Sequence, residues 1–172
     1  MDSDGDWYPN YYEYTGGGDP DDISSIPSAS FTVDTEGVGG YSSIQSALSA
    51  AYDDDIILVK TGTYEESGIQ FSGKRVLLLA EELPEKAVID CQSSGRGFNF
   101  NNSETRLSIL VGFKIINGSL SNDDGGGIYL SGSSPTIKHC IIQANSARYG
   151  GGIYSYDSVS SIVNCVITEN TA

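Results

Sequence analysis

The five residues GGGIY occur twice in this chain, at Gly125–Tyr129 and again 25 positions later at Gly150–Tyr154. When the segment 125–147 is laid over 150–172 without a gap, 11 of the 23 positions are identical. A fixed period of this length is typical of solenoids, in which each unit can bury its apolar face only against its neighbours. The chain is therefore predicted to consist of repeated coils.

Two kinds of solenoid compete for this pattern. The segment Ile137–Ala147 fits the leucine-rich-repeat template, which requires a helix or an equivalent element on its convex side. The rest of each unit, for example RYGGGIYSYDSVSS from Arg148, is rich in Gly, Ser and β-formers, which disfavour a helix. We therefore expect an all-β fold, a right-handed parallel β-helix in which short strands alternate with tight turns.

The repeat also predicts which side chains stack from coil to coil. The glycine triplet would form a bend where φ is positive or where a side chain has no room, and Asn145 would lie over Asn170 in an amide ladder. The inward residues are expected to be Ile128, Ile137, Cys140, Ile142 and the residues 25 positions after each. The GGGIY block is thus predicted to be the turn and first strand of each coil.

Earlier coils are less regular but can still be followed. In SILVGFKIING, Ile115 lies 27 positions before Ile142, so this coil has a small insertion. Buried strands are predicted in IILVKTGTY from Ile56, RVLLLAE from Arg75 and AVIDC from Ala87. Just before them, SSIQSALSAA from Ser42 has apolar residues at i, i+3, i+4 and i+7 behind a serine N-cap. This pattern predicts a short helix that caps the open end of the first coil.

Taken together, these segments resemble the secreted right-handed parallel β-helix proteins of the pectin-lyase-like superfamily. The resemblance covers about residues 31–172 and rests on YSSIQSALSAAYDDDIILVKTGTYEE, GKRVLLLAEE, VIDC, LVGFKIING and the GGGIY units. These motifs are specific to the fold and not to one chemistry. The resemblance implies an extracellular or cell-surface location.

The segment in front of the predicted β-helix, DSDGDWYPNYYE, has the ligand spacing of a twelve-residue calcium loop. Such a loop wraps a hard cation in oxygen atoms and closes with a bidentate Glu. The predicted ligands at loop positions 1, 3, 5, 7, 9 and 12 are Asp2, Asp4, Asp6, the Tyr8 carbonyl, Asn10 and Glu13. Calcium is therefore the expected cofactor, and the alternative is a solvated acidic tail.

This segment also resembles the thrombospondin type 3 calcium repeats of bacterial surface proteins. Gly18-Asp19-Pro20 matches their GxDP tail, whereas Trp7 stands at the sixth loop position, where Gly is usual. The predicted organisation is a calcium-binding segment over residues 1–22, a linker over 23–30 and the β-helix over 31–172.

The charge of the chain excludes several classes of partner. It contains 23 Asp and Glu against nine Lys and Arg, a formal net charge of -14. Such a surface repels phosphate backbones and attracts divalent cations, so no nucleic acid partner is expected. Membrane insertion is not expected either, because no apolar run is long enough to span a bilayer. The N-terminus has no signal-peptide pattern, so either the protein is cytosolic or the sequence is a piece of a longer chain.

Asp123 and Arg148 are the candidate catalytic residues. They are 25 positions apart and are expected one above the other on adjacent coils. Lyases of the superfamily that the chain resembles use acidic calcium ligands and an Arg base on the outer face of the coils. The alternative for this pair is a surface ion pair. His139, the only histidine, falls at a turn and is expected to be structural.

The three cysteines do not form an even disulfide framework or a C-x-x-C motif. Cys140 over Cys165 is predicted to be a buried thiol stack. No neighbouring residue in the sequence is expected to lower the pKa of either thiol.

These observations favour a fragment of a secreted or cell-surface protein that acts as a carbohydrate-binding or adhesion scaffold behind a calcium-stabilised module. The expected partner is a polysaccharide or a cell-surface glycan. The alternatives are a polysaccharide-degrading enzyme, either a calcium-dependent lyase or a glycoside hydrolase, and a structural stalk without a ligand. A further GGGIY is expected soon after Ala172, so the last coil is predicted to bind another coil or to self-associate.

Overall fold

In the computed structural model, which describes residues 28–82 and 84–172, the chain forms a parallel β-solenoid of about five turns. The helix α1 spans Ile44–Ala50. The strands are β1 (Phe31–Val33), β2 (Gly40–Tyr41), β3 (Ile56–Val59), β4 (Gly62–Tyr64), β5 (Leu77–Ala80), β6 (Ala87–Asp90), β7 (Phe98–Phe100), β8 (Ile109–Val111), β9 (Phe113–Ile116), β10 (Ser119–Leu120), β11 (Ile128–Ser131), β12 (Thr136–Lys138), β13 (Ile141–Gln143), β14 (Ser146–Ala147), β15 (Ile153–Tyr156), β16 (Ser161–Val163) and β17 (Val166–Thr168).

The strands form four parallel sheets. Sheet A has the order β16-β12-β8-β5-β3-β1-β2, and sheet B has the order β17-β13-β9-β6-β4. Sheet C is β15-β11-β7 and sheet D is β10-β14. One complete turn, hereafter a rung, visits sheets C, A, B and D through β11, β12, β13 and β14. The prediction of an all-β parallel solenoid is confirmed, and the short helix it includes is the one helix among residues 28–82 and 84–172.

The register of the sheets confirms the predicted stacking of the last two rungs. Ile128 pairs with Ile153, Ile137 with Ile162 and Ile142 with Ile167, each 25 positions apart. The predicted spacing of 27 is also found, because Ile115 pairs with Ile142. Along sheet A the spacing between paired residues is 21 from Ile57 to Leu78, 32 from Leu78 to Leu110, 27 from Leu110 to Ile137 and 25 from Ile137 to Ile162.

The core fills the interior of the solenoid. Alternate residues of a strand point to opposite faces, and the inward set in sheet A includes Ile57, Leu78, Leu110 and Ile137, all fully buried. Between sheets A, B and C the core contains a group of aromatic rings whose centroids are 5.0–6.5 Å apart, namely Phe71, Phe98, Phe100 and Phe113. These bulky side chains occupy the middle rungs, so burial of their apolar surface is a main source of stability there.

One turn of the solenoid is built from stacked residues in the left-handed conformation. The turn from sheet A to sheet B has Gly112, His139 and Asn164 with φ of 84°, 50° and 52°. The backbone N–H of His139 donates to the carbonyl of Val163 at 3.0 Å, which joins this turn to the next rung. Asn and His are among the non-glycine residues that tolerate positive φ best. The location of His139 therefore agrees with its predicted structural role.

The GGGIY block forms a bend, as the sequence predicts. Gly125 and Gly150 have φ of 72° and 60°. A Cβ on Gly126 would lie 2.5 Å from the Gly151 carbonyl oxygen, so successive bends are in backbone contact and leave no room for a side chain. Glycine is the residue that satisfies both conditions.

Helix α1 packs against β1, β2 and β3 at the first rung. Ile44, Ala47 and Leu48 are buried, which matches the predicted apolar face. Ser43 is the N-cap, and its side chain accepts a hydrogen bond from the Ser46 N–H at 3.2 Å. The carboxylate of Glu66 supports the same helix end. Among the described residues, no helix is long and apolar enough to cross a membrane.

Candidate functional site

A column of side chains runs along the outer face of sheet C. Ile128 and Leu130 of β11 point into the core, so Tyr129 between them points outward. Tyr129 pairs with Tyr154 of the next rung, and the two rings are stacked with centroids 5.5 Å apart and planes 9° apart. These two residues are called the tyrosine column below. Both residues are half-buried, because each ring covers one face of the other.

Arg96 extends the tyrosine column on the side away from Tyr154. Its guanidinium carbon lies 4.7 Å from the centroid of the Tyr129 ring, which is a cation–π contact. The same guanidinium donates to Asp123 Oδ2 at 2.6 Å and to the Asp124 carbonyl at 3.0 Å. The Arg96 side chain is only 15% exposed, so these contacts hold it in one orientation.

Asp123 and Arg148 lie on adjacent rungs, but their side chains do not pair with each other. The backbone N–H of Arg148 donates to the Asp123 carbonyl at 2.9 Å, which confirms the predicted stacking. The Arg148 guanidinium instead binds the Asp124 carboxylate at 3.1 Å, and Asp123 binds Arg96. The ion pair anticipated between Asp123 and Arg148 is thus replaced by two others, Asp123 with Arg96 and Asp124 with Arg148. The Asp124 carboxylate lies within ion-pair distance of Arg148.

Asp123 is the exposed carboxylate of this network. A hydrogen bond from the Asp124 N–H, followed by the nearby Arg96 guanidinium, lowers the pKa of Asp123 below its ordinary value. Its side chain is 60% exposed, whereas that of Asp124 is 13% exposed. Asp123 is therefore ionised at neutral pH and open to a ligand, and Asp124 is occupied in holding Arg148.

Two buried polar atoms beside the tyrosine column have no hydrogen-bond partner among the described residues: Oδ1 of Asn99 and Nε of Arg96. Asn99 pairs with Tyr129 in sheet C and continues the outward column by one rung. Buried polar atoms are nearly always hydrogen-bonded, so unpaired ones need an explanation, of which a bound water, an ion or a ligand is one.

A shallow groove of about 240 Å³ lies next to this network. Hydroxyl groups of Ser119, Ser146 and Thr171 line it, and Arg148 forms part of its wall. Ser119 and Ser146 are register partners in sheet D, and Ser146 Oγ donates to Ser119 Oγ at 3.3 Å. The groove follows the solenoid axis, because its hydroxyls come from successive rungs.

A larger depression, about 620 Å³, lies at the C-terminal end of α1 and is lined by Tyr52, Asp53 and Lys74 among others. The Lys74 ammonium donates to the carbonyls of Leu48 and Ser49 at 2.6 and 3.0 Å. Lys74 thus satisfies the open carbonyls of the helix end, which is a structural role. We therefore place the candidate site at the tyrosine column and not at this larger depression.

The thiol stack is formed, but its two members differ. Cys140 is buried, and burial raises its pKa well above the ordinary value. Cys165, in the last rung, is half-buried, and a hydrogen bond from Cys140 lowers its pKa to about 7. The expectation that no neighbour lowers a thiol pKa is wrong for Cys165, because the neighbour is the stacked thiol itself.

The predicted calcium ligands, Asp2, Asp4, Asp6, Tyr8, Asn10 and Glu13, lie outside the described residues. Within residues 28–82 and 84–172, no group of three or more His, Cys, Asp or Glu is arranged to hold a metal ion. The sequence analysis did not predict the tyrosine column, although the GGGIY repeat contains the pattern that predicts it. Tyr129 and Tyr154 follow the inward Ile in both GGGIY blocks, so alternation along the strand places both rings outside.

Comparison with protein-family models finds no match to this chain, and comparison with curated proteins finds none either.

Proposed function

We propose that this chain is part of a secreted or cell-surface protein whose β-solenoid binds carbohydrate along the tyrosine column. The observation that carries the proposal is the stacked, outward pair Tyr129 and Tyr154. The contacts of Arg96 with Tyr129 and Asp124, and of Asp124 with Arg148, link this pair to the groove of hydroxyl groups. Tyr154 and Arg96 cover the two faces of the Tyr129 ring, so the face of Tyr154 turned away from Tyr129 is the one that can attract the C–H face of a sugar ring. Fixed hydroxyl, amide and carboxylate groups bond to sugar hydroxyls. Both kinds of group occur on consecutive rungs, the tyrosines on sheet C and the hydroxyl groups of Ser119 and Ser146 on sheet D.

The charge of the chain favours an uncharged glycan. The formal net charge is -14, and each of the two arginines of the site is paired with an aspartate. An anionic polymer would be repelled at long range and would find no unpaired arginine at this site. We therefore expect neutral polysaccharides to bind better than uronate-rich or sulfated ones.

The test is binding of the whole chain to an array of neutral and anionic polysaccharides, followed by calorimetry with the best neutral polymer. Tyr154→Ala should weaken binding at least about tenfold, the effect expected for removing an aromatic anchor of a site. Tyr52→Ala is the control, because Tyr52 is an exposed tyrosine of the first rung, whereas Tyr154 lies in the last. Equal affinity of both variants and the wild type would overturn the proposal.

An enzymatic function is a second candidate, supported by the exposed and ionised Asp123 one rung from Arg148. A glycoside hydrolase needs two carboxylic groups on either side of the bond, and a lyase needs a base beside a bound uronate. Incubation with neutral and uronate polymers, with assays for reducing ends and for unsaturated uronates, tests both reactions. Activity that Asp123→Asn abolishes would support the enzyme; no product from any polymer would leave the binding scaffold.

Calcium binding by the N-terminal segment is part of the proposal and rests on the spacing of its oxygen-bearing residues alone. Calcium calorimetry on the chain, repeated with Asp2→Ala combined with Glu13→Ala, tests it directly. Binding that disappears in the double variant supports a calcium module. Binding that survives assigns calcium elsewhere in the chain.

A further inference from the structure

Sheet A carries a second apolar cluster on its outer face, opposite the core. Two columns of residues form it in register: Ile56, Leu77 and Ile109 in one, and Leu58, Leu79 and Val111 in the other. The residues between them along each strand, such as Ile57, Leu78 and Leu110, belong to the inner core. These six outward residues of β3, β5 and β8 are called the outer strip below.

The outer strip is shielded from water. Five of its residues are only 0–5% exposed, and Leu58 is half-buried. A strand that is covered on one face alternates apolar and polar residues, whereas a strand that is covered on both faces is a continuous apolar run. The strands IILV, LLLA and ILV are continuous runs, while the next strand of the sheet, TIK, alternates. Both burial and sequence therefore indicate that another segment packs over three rungs of sheet A.

The strip has clear boundaries along the sheet. At one end, its columns continue into Ser30 and Thr32, because Ser30 bonds to Ile56 and Thr32 pairs with Leu58. At the other end they continue into Thr136 and Lys138, which pair with Ile109 and Val111. The apolar area is thus a patch of limited length with polar borders.

We propose that the outer strip is the docking surface for the chain's own N-terminal segment, residues 1–27. The segment joins the described chain at Ser28, and the Ser30 N–H donates to the Ile56 carbonyl at 2.8 Å, so the chain enters at the corner of the strip. Twenty-seven residues reach roughly 90 Å when extended, and three rungs span only about 10 Å. The segment is therefore long enough to cover the outer strip.

The composition of residues 1–27 suits this surface. The segment contains Trp7, Tyr8, Tyr11, Tyr12 and Tyr14, which supply large apolar faces with polar tips. It contains no Lys or Arg and seven acidic residues, and the border of the strip carries a cation at Lys138. Aromatic rings would cover the strip while the carboxylates remain in water or meet this border. The other possible occupant is a second copy of the chain.

Trp7 makes the proposal testable in the intact chain, because it is the only tryptophan. With the segment docked, the emission maximum of Trp7 should lie at a shorter wavelength than in the urea-unfolded chain. Its acrylamide quenching constant should be severalfold lower than in the unfolded chain. Leu79→Glu places a charge in the centre of the strip and should return both values to those of an exposed tryptophan. Thr136→Glu is the matched control, since it places the same charge on the same face just beyond the border, and should change neither value.

Each result decides the question. A water-exposed Trp7 in the wild-type chain would overturn the proposal without any variant. Protected Trp7 in both the wild type and Leu79→Glu, with circular dichroism unchanged, would also overturn it, because the protection would then arise within the segment. If Leu79→Glu does not fold, Leu58→Glu at the half-buried edge of the strip replaces it.

Sedimentation velocity tests whether a second copy of the chain covers the strip instead. A dimer that Leu58→Glu dissociates would assign the strip to self-association. Measurements with calcium and with a chelator keep this question apart from that of calcium binding.

Discussion

The side-chain amide of Asn145 donates a hydrogen bond to Oδ1 of Asn170 in the next rung, at 3.0 Å. It also donates to the carbonyls of Ile115 and Gln143, and its own Oδ1 accepts from the Gly118 N–H at 2.8 Å. Asn145 is 1% exposed, and removing its amide would leave the buried Gly118 N–H without this acceptor, whereas Asn170 Oδ1 would still accept from the Asn145 backbone N–H. The ladder thus joins three successive rungs through one side chain.

Asn145→Ala should destabilise the fold by about 3 kcal/mol, because the buried Gly118 N–H loses its acceptor and the carbonyls of Ile115 and Gln143 lose the amide donor together. Urea unfolding measures the loss. Asn170→Ala, at the half-buried end of the ladder, should cost about 1 kcal/mol. Equal losses for the two variants would mean that the ladder acts as a surface feature and not as a buried network.

Gly126→Ala should be strongly destabilising, since the added Cβ would lie 2.5 Å and 2.6 Å from the carbonyl oxygens of Gly151 and Ser146. Backbone of a stacked rung cannot move aside, and overpacking of this kind costs about 2 to 3 kcal/mol. The control is Gly132→Ala, where φ is 58° and no atom lies within 4 Å. That variant should lose only about 1 kcal/mol, the cost of the left-handed conformation. Thermal unfolding that ranks the two variants in the opposite order would contradict this account.

Glu66→Ala should destabilise the first rung, because the Glu66 carboxylate accepts hydrogen bonds from Ile44 N, Gln45 N and Ser43 Oγ at 2.7, 3.0 and 3.1 Å. Two open backbone donors of α1 would lose their acceptor, at a cost of about 1 to 2 kcal/mol. Hydrogen exchange should show the loss mainly in α1. Glu65→Ala, at the exposed neighbouring position, should remain within about 0.5 kcal/mol of wild type.

Cys165 should be the reactive thiol of the folded chain. Its pKa is about 7, whereas burial raises the pKa of Cys91 to about 12 and that of Cys140 well above its ordinary value. The thiolate is the nucleophile, so alkylation of Cys165 by iodoacetamide should rise as the pH passes through about 7 and then level off. Peptide mass mapping identifies the site. Cys140→Ala removes the hydrogen-bond donor and should move this rise to higher pH.

The 172-residue chain should self-associate through its last rung. Ile137 and Ile142 lie between two rungs and are fully buried, whereas Ile162 and Ile167 contact one rung and are 42% and 51% exposed. Apolar side chains beside unpaired strand edges favour association with another copy. Sedimentation velocity should show species larger than a monomer that shrink in Ile167→Lys. A single monomeric species at all concentrations would refute this prediction.

The fold could be predicted from the sequence because the same residue pattern recurs in successive coils of a solenoid. The pairs Ile128 with Ile153 and Asn145 with Asn170 followed directly from the 25-residue period, since in-register stacking places equivalent residues over one another. The helix was also predictable, from Ser43 to Leu48, because its capping and apolar spacing are local. Period and local pattern were sufficient for the backbone.

The site and the outer strip could not be read in the same way. Arg96 reaches Asp123 across 27 positions but has no counterpart in the later rungs, so the repeat gives no indication of it. Arg148 forms its ion pair with Asp124 and not with Asp123. This choice depends on side-chain rotamers, which the spacing of residues in the sequence does not specify. The continuous apolar run IILV from Ile56 did indicate a buried strand, but the run alone does not say which segment covers its second face.

Successive strands of sheet A remain in register although 21 to 32 residues separate their paired positions. The length of chain between rungs is therefore uncoupled from the height of a rung. A coil can be duplicated and its connecting turn lengthened while the interior sees the same neighbours above and below. Such a chain can acquire new surfaces by insertion at its turns.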